Sequence, residues 1–116
     1  GNRPANKAFV AAWKKEYGAG TTPDFLGVQG WDGMAAIYHA IGKTDGKINA
    51  KSAIKAWKGW KFDSPRGPMM IDPKTRDVVN NQYLRRVDKV GGKLQNTEIS
   101  TLKMVKDPWK ILNPKK

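Results

Sequence analysis

Along the first half of the chain, apolar residues recur at helical spacing; along the second they gather in short runs between turn residues. Phe9, Ala12, Trp13 and Tyr17 share one face of a helix predicted over residues 6–17, with Lys7, Lys14 and Lys15 off that face. Gly18 and Gly20 stop it. Thr21-Thr22-Pro23-Asp24 reads as a turn or loop, and the apolar run Phe25-Leu26-Gly27-Val28 as a short buried strand. A second helix is expected from about Asp32 to Ile41. Met34, Ala35, Ala36, Ile37, Tyr38, Ala40 and Ile41 leave it almost no polar face. A helix apolar nearly all round needs cover from several sides, and this chain has few other long apolar segments to supply it.

Asn49 is placed to cap a third helix over about residues 50–58. Ala50, Ala53, Ile54 and Trp57 form its inner stripe, Lys51, Lys55 and Lys58 its solvated one, and Gly59 follows where a helix-ending glycine belongs. From Trp60 onward the pattern turns to strands. Trp60-Lys61-Phe62 and Met69-Met70-Ile71 are short strands around the turn Asp63-Ser64-Pro65-Arg66-Gly67-Pro68. Residues 82–87 and 98–105 are the longest strand candidates, and Gly91-Gly92 between them predicts a hairpin. Residues 107–116, with Pro108 and Pro114, read as an extended tail. The order of helices and strands lacks regular alternation. It reads as an α/β fragment, not a complete doubly wound domain.

Composition changes this picture in three ways. There is no Cys among 116 residues, which excludes a disulfide framework and thiolate metal sites. No run nears the ~18 apolar residues of a membrane span. The opening Gly1-Asn2-Arg3-Pro4 lacks the apolar stretch of a secretory signal, although a processed chain reads the same. The charge is +12, from 22 basic and 10 acidic residues. Such a surplus raises a nucleic-acid partner as an alternative function. Yet only five of the 22 are Arg and no basic run exceeds two residues, so the charge is dispersed.

Candidate chemistry is sparse. His39, the only histidine, lies in the apolar second helix without a cluster of metal ligands or a nucleophile beside it, and reads as structural. Carboxylates are scattered, so no acid/base pair stands out. Gly27, Gly30 and Gly33, three apart, match neither dinucleotide nor phosphate loops. No catalytic residue, cofactor or metal site is nominated, and no enzymatic activity is expected.

Several segments, in order, resemble the type I periplasmic binding proteins, the substrate-binding subunits of branched-chain-amino-acid-type ABC importers. Phe9 through Trp13 to Tyr17-Gly18, followed by Pro23, resembles that family's Phe…Trp/Tyr…Tyr-Gly…Pro segment. Gly30-Trp31-Asp32-Gly33-Met34-Ala35-Ala36 resembles its Gly-Tyr-Asp-Ala helix start, and residues 53–57 its next helix. Arg66-Gly67-Pro68-Met69-Met70-Ile71-Asp72 resembles its Gly-Pro-x-Gly-x-x-x-Phe-Asp segment. Residues 82–87 with Gly91-Gly92-Lys93 resemble its closing strand and turn. Trp31 replaces the usual Tyr, and Ile71 stands where Phe is usual.

The resemblance implies the last third of a two-lobed receptor. Residues 1–80 would complete one α/β lobe, 81–106 would be closing strands crossing toward the other, and 107–116 an extended tail. It implies a periplasmic or extracellular protein that captures an amino acid or related organic acid between its lobes and delivers it to a membrane permease. It places Trp31 at the cleft wall, with Gln29 as a polar contact beside it. The partners expected are the small ligand, the permease, the preceding two-thirds of the receptor's own chain and, for the fragment, another copy. Nucleic acid is not among them.

Overall fold

The structure, a computed structural model, describes residues 2–114. Three helices come first: α1 (Pro4–Tyr17), α2 (Phe25–Lys43) and α3 (Ala50–Trp57). Four strands follow, β1 (Lys61–Ser64), β2 (Gly67–Ile71), β3 (Val78–Val90) and β4 (Lys93–Val105), and then a short helix, α4 (Pro108–Leu112). The strands form one antiparallel meander in the order β1-β2-β3-β4.

α1 starts on a proline, which loses nothing in the first turn because its missing N–H would be unpaired there anyway. α2 departs from expectation. Residues 25–28 are its first turn and not a strand. The Asp24 carboxylate accepts the Gly27 N–H at 2.8 Å, so the cap sits eight residues before the expected helix start at Asp32. Gly27 is tolerated inside the helix for a packing reason: a Cβ there would lie 2.7 Å from the Trp13 ring. α3 carries the expected cap. Asn49 and Ser52 exchange side-chain and backbone hydrogen bonds, all at 2.9 Å. It is tied to α2 by Trp57, whose Nε1 donates to the Ala36 carbonyl at 2.8 Å. His39 stacks on Trp60, and Trp60 on Phe62, at 4.3 and 4.2 Å between ring centroids. The histidine thus occupies a packed column between α2 and β1.

The apolar core is small: Phe9, Val28, Ala40, Ala53, Met69 and Val79. On α1 the expected inner face is only partly covered, since Ala12 and Tyr17 are exposed. The apolar sides of α2 are left open at Met34, Ile37, Tyr38 and Ile41. Two global quantities agree with this. The radius of gyration is 16.7 Å, against about 13 Å for a compact chain of this length. The accessible area is 8964 Å², against about 6,300 Å² for a folded monomer of this mass.

The sheet accounts for much of the excess. β2 pairs with β3 only from Val78 to Asn80, while β3 and β4 run on together to the Gly91-Gly92 turn. Both glycines have positive φ, 56° and 81°, as a tight two-residue hairpin turn demands. The outer part of this ribbon has no third strand, and Leu84, Val87, Leu94 and Leu102 lie exposed along it. The expected extended tail is also corrected. Asp107 caps α4 through the Trp109 N–H at 3.0 Å with Pro108 in the first turn, so the two features that suggested irregular chain start a helix. An ion pair from Lys110 to Asp77, at 2.6 Å, holds α4 against the β2–β3 turn. Residues 115 and 116 of that tail lie outside the described residues.

Gly67 opens β2 at φ 110°, with the Tyr83 hydroxyl packed against it where a Cβ would stand. Gly67→Ala is expected to destabilise the fold by ~2 kcal/mol or more, because backbone strain and a steric contact add. Adding Tyr83→Phe should recover only the contact. Urea denaturation of the single and double variants separates the two.

Candidate functional site

The largest concavity described is a groove of about 900 Å³ between α1, the start of α2, the β1–β2 turn and the β3–β4 ribbon. Its charged lining is Arg3, Lys14, Arg66 and Arg85 against Asp24 and Glu98. Phe9 and Val28 supply apolar lining.

Trp31 is not among the residues lining this groove and meets it only through its contact with Phe9. It is the seventh residue of α2, not at the helix start as expected, and the residue is 43% exposed. The covered part packs edge-on against Phe9, with centroids 5.3 Å apart. Phe9 continues the row to Trp13 at 6.1 Å, and Trp13 to Tyr17 at 4.5 Å. Trp31 is therefore pinned by one edge, with the rest of its indole open. Gln29 is exposed on α2, but two residues of helix rotate it by about 200° from Trp31. The structure does not bring these two side chains together.

Two polar clusters that sequence reasoning did not nominate border the groove. In the first, Asp32 lies buried in α2 and its Oδ2 accepts three bonds. These come from Ser64 Oγ at 2.8 Å, Arg66 Nε at 3.0 Å and Arg66 Nη2 at 2.7 Å. Asp32 Oδ1 is buried without a partner among the described residues. Ser64 Oγ also accepts the Arg66 backbone N–H at 3.0 Å, which fixes the turn that carries the guanidinium. The signal was present in the sequence as a lone carboxylate within an apolar helix, a residue that is almost never buried unpaired.

In the second cluster, Arg3 at the cap of α1 donates through Nη2 to Glu98 at 2.8 and 3.1 Å. Its guanidinium lies over the Tyr83 ring at 4.5 Å, and that of Arg85 lies 5.5 Å from the same ring. No sequence signal links residues 3 and 98, because their meeting depends on how the ribbon docks on α1. Among the described residues no group of three or more His, Cys, Asp or Glu is placed to hold a metal ion.

The groove is thus concave, of mixed polarity and cationic in bias, with a partly open aromatic ring in contact with one of its lining residues. Comparison with known proteins identifies the class. A family model described as periplasmic binding protein matches residues 1–93. The Leu/Ile/Val-binding protein homolog 6 of Brucella abortus is 42% identical over 106 residues, covering 90% of this chain and 27% of that protein. An ABC transporter solute-binding protein from Rhodopseudomonas palustris BisB5, solved in complex with 3,4-dihydroxybenzoic acid, superposes with a TM-score of 0.87 at 50% identity. It covers 94% of this chain and 30% of its own. A second such protein, from Rhodopseudomonas palustris HaA2 with p-hydroxybenzoic acid, gives 0.84 at 40% identity, covering 97% and 30%. The chain belongs to the periplasmic binding protein family. It spans 27–30% of the length of these relatives.

The hydrogen bonds from Arg3, and secondarily that from Thr101, hold the Glu98 carboxyl below the usual glutamate range. A depressed folded-state pKa contributes stability above the unfolded value of about 4.3, and that contribution is lost as pH falls through the folded value. Glu98→Gln should therefore lower the melting temperature at pH 7, and the gap from the parent should close as the pH drops below about 4. Melting curves at stepwise pH check this; a gap that stays constant into acid would remove the ion pair as its cause.

Proposed function

We propose that this chain is the ligand-facing last third of the solute-binding component of an ABC importer. That receptor captures a small carboxylate, an aromatic acid or an amino acid, in a cleft between two lobes and delivers it to the membrane permease. The observation that carries the reading is the Trp31 ring. It is half-open and pinned by Phe9 beside the groove, in a chain 40–50% identical to receptors solved with hydroxybenzoic acids. In this reading Trp31 is an aromatic wall of the cleft, packing on the ligand's apolar body. Gln29 serves as an exposed amide on the other side of α2. No helix of the described residues is long and apolar enough to cross a membrane. That fits a receptor working in the periplasm or outside the cell.

The division of the chain follows the same reading. Residues 1–80 contribute to one lobe, 81–106 cross toward the other, and 107–116 close the end. Two observations favour this. The pairing register of β3 with β4 is irregular between Asn80 and Gln82, where the crossing would begin. The open faces of α2 and of the ribbon are the surfaces that the rest of two lobes would cover. Lobe closure then follows because a ligand touching both lobes binds the closed form better than the open one.

Calorimetric titration tests the reading on a receptor of the relatives' length that contains this chain, with 4-hydroxybenzoate, 3,4-dihydroxybenzoate and leucine. At least one acid is expected to bind, and Trp31→Ala to weaken it roughly 10-fold. The isolated 116-residue chain should bind none of them tightly, since it offers one side of the cleft. Binding of no carboxylate by the long receptor would overturn the reading, and tight binding by the isolated chain would overturn its two-lobed part.

A further inference from the structure

We propose that Arg66 receives the ligand's carboxylate, and that Asp32 is the positioning residue that aims it. This rests on the receptor reading above and names the group that such a receptor would grip.

Arg66 sits in the two-residue turn between β1 and β2, where Pro65 limits the backbone and Ser64 Oγ accepts the Arg66 N–H. Its side chain is then held a second time. Nε and Nη2 both donate to Asp32 Oδ2, from a carboxylate that is 7% exposed in α2. A guanidinium carries five N–H donors in a planar fork. Two of them are spent on Asp32. The Nη1 pair and the second Nη2 hydrogen have no partner among the described residues. They form the outer fork that matches two carboxylate oxygens. Arg66 lines the groove, with its side chain 34% exposed. The arrangement is an arginine clamped from behind with its remaining donors unspent.

The surroundings select the ligand's charge. Arg3, Lys14, Arg66 and Arg85 against Asp24 and Glu98 leave the groove lining at +2, since four minus two is two. Counting Asp32 behind Arg66 leaves +1. A monoanion entering this groove is met by a net positive field, and a dianion is not fully offset. The same groove is lined by Phe9, Val10, Phe25 and Val28, with Phe25 exposed, so an aromatic body and a carboxylate both find partners along it. Asn80, Asn81 and Gln82 line it as well; Gln82 Nε2 donates to Asn80 Oδ1 and Asn81 Oδ1 accepts the Met104 N–H, so their remaining amide ends are the groups a ring hydroxyl would meet. The class that fits is an aromatic monocarboxylate with a polar substituent.

The test is a ratio, measured on the receptor of full relatives' length. Affinities for 4-hydroxybenzoate and for its neutral isostere 4-hydroxybenzamide are compared in the parent, Arg66→Gln, Arg66→Lys and Asp32→Asn, with melting curves confirming folding. The parent should prefer the acid. Arg66→Gln should cut that preference by on the order of 10–100-fold while the amide's affinity moves little. Arg66→Lys should fall between, because it keeps the charge and loses the fork. It also carries the test if the glutamine variant fails to fold. Asp32→Asn should lower the preference in the same direction and by less, because it loosens the guanidinium without removing it. General structural damage weakens acid and amide alike and leaves the ratio unmoved. A parental ratio in folded Arg66 variants would sink the proposal while leaving the receptor reading standing. Failure of the parent to bind any of the acids would overturn both.

Discussion

The buried carboxylate of Asp32 constrains more of this structure than any other single group. An aspartate inside an otherwise apolar helix is unstable unless its charge is met. Here, among the described residues, it is met by Ser64 and Arg66 of the β1–β2 hairpin. α2 and the sheet can therefore dock in one register. Sliding α2 by a turn would strand the carboxylate in an apolar setting without its hydrogen-bond donors. From that fixed point the neighbours follow. Trp31, one residue earlier, is delivered to Phe9 on α1. Gly67, one residue after Arg66, is brought under Tyr83, and Arg3 lies over the Tyr83 ring.

The same docking explains why the fold is open. The helices meet the sheet through a few small contacts around Asp32, Phe9 and the His39–Trp60 stack. The rest of α2 faces outward with apolar side chains, and the β3–β4 ribbon runs on past its last neighbour. A two-stranded ribbon is marginal alone. Its base is held by the buried Met69 and Val79 and by the ion pairs Lys106–Asp72 and Lys110–Asp77, and Arg3–Glu98 ties it to α1. Asp72 and Asp77 are held below the usual aspartate range. Backbone N–H groups of Lys74 and Thr75 do this first for Asp72, and Lys110 first for Asp77. Surface pairs of this type are weak individually. Such a ribbon is suited to resting on further protein, in keeping with a chain that spans under a third of its relatives.

Legibility from sequence followed the range of the forces. α3 was readable because its determinants are local: the Asn49 cap, the Ala53, Ile54 and Trp57 stripe and the Lys face all lie within ten residues. The β3–β4 hairpin was readable because Gly91-Gly92 marks its turn. The α2 start was misread because Phe25-Leu26-Gly27-Val28 is apolar at every position, a pattern that suits a buried strand as well as a helix. The Asp24 cap, not periodicity, decides it. Gly27 sits inside the helix because the Trp13 ring lies where its side chain would be. α4 was missed because Asp107-Pro108 reads equally as a turn and as a helix start. The resemblance to the binding-protein family survived these errors because it rested on the order of several segments and not on the type of any one.

The site was less legible than the fold, for a related reason. Trp31 could be nominated because a motif marked its position. Arg66 lay in plain view within another motif, but its importance is relational. Thirty-four residues separate it from Asp32, and nothing in either neighbourhood announces the other. Binding sites of this kind assemble where elements meet, so the groups that confer charge selectivity need not sit near the group that confers shape. In the proposed receptor the aromatic wall and the charged clamp would come from the two sides of one peptide link in α2. Trp31 turns toward Phe9 of α1, and Asp32 turns inward to hold Arg66. A rotation of α2 that misplaced one would misplace the other. Under the proposed function, shape and charge recognition would be coupled through two adjacent residues of α2, the helix that the sequence marks as needing the most cover.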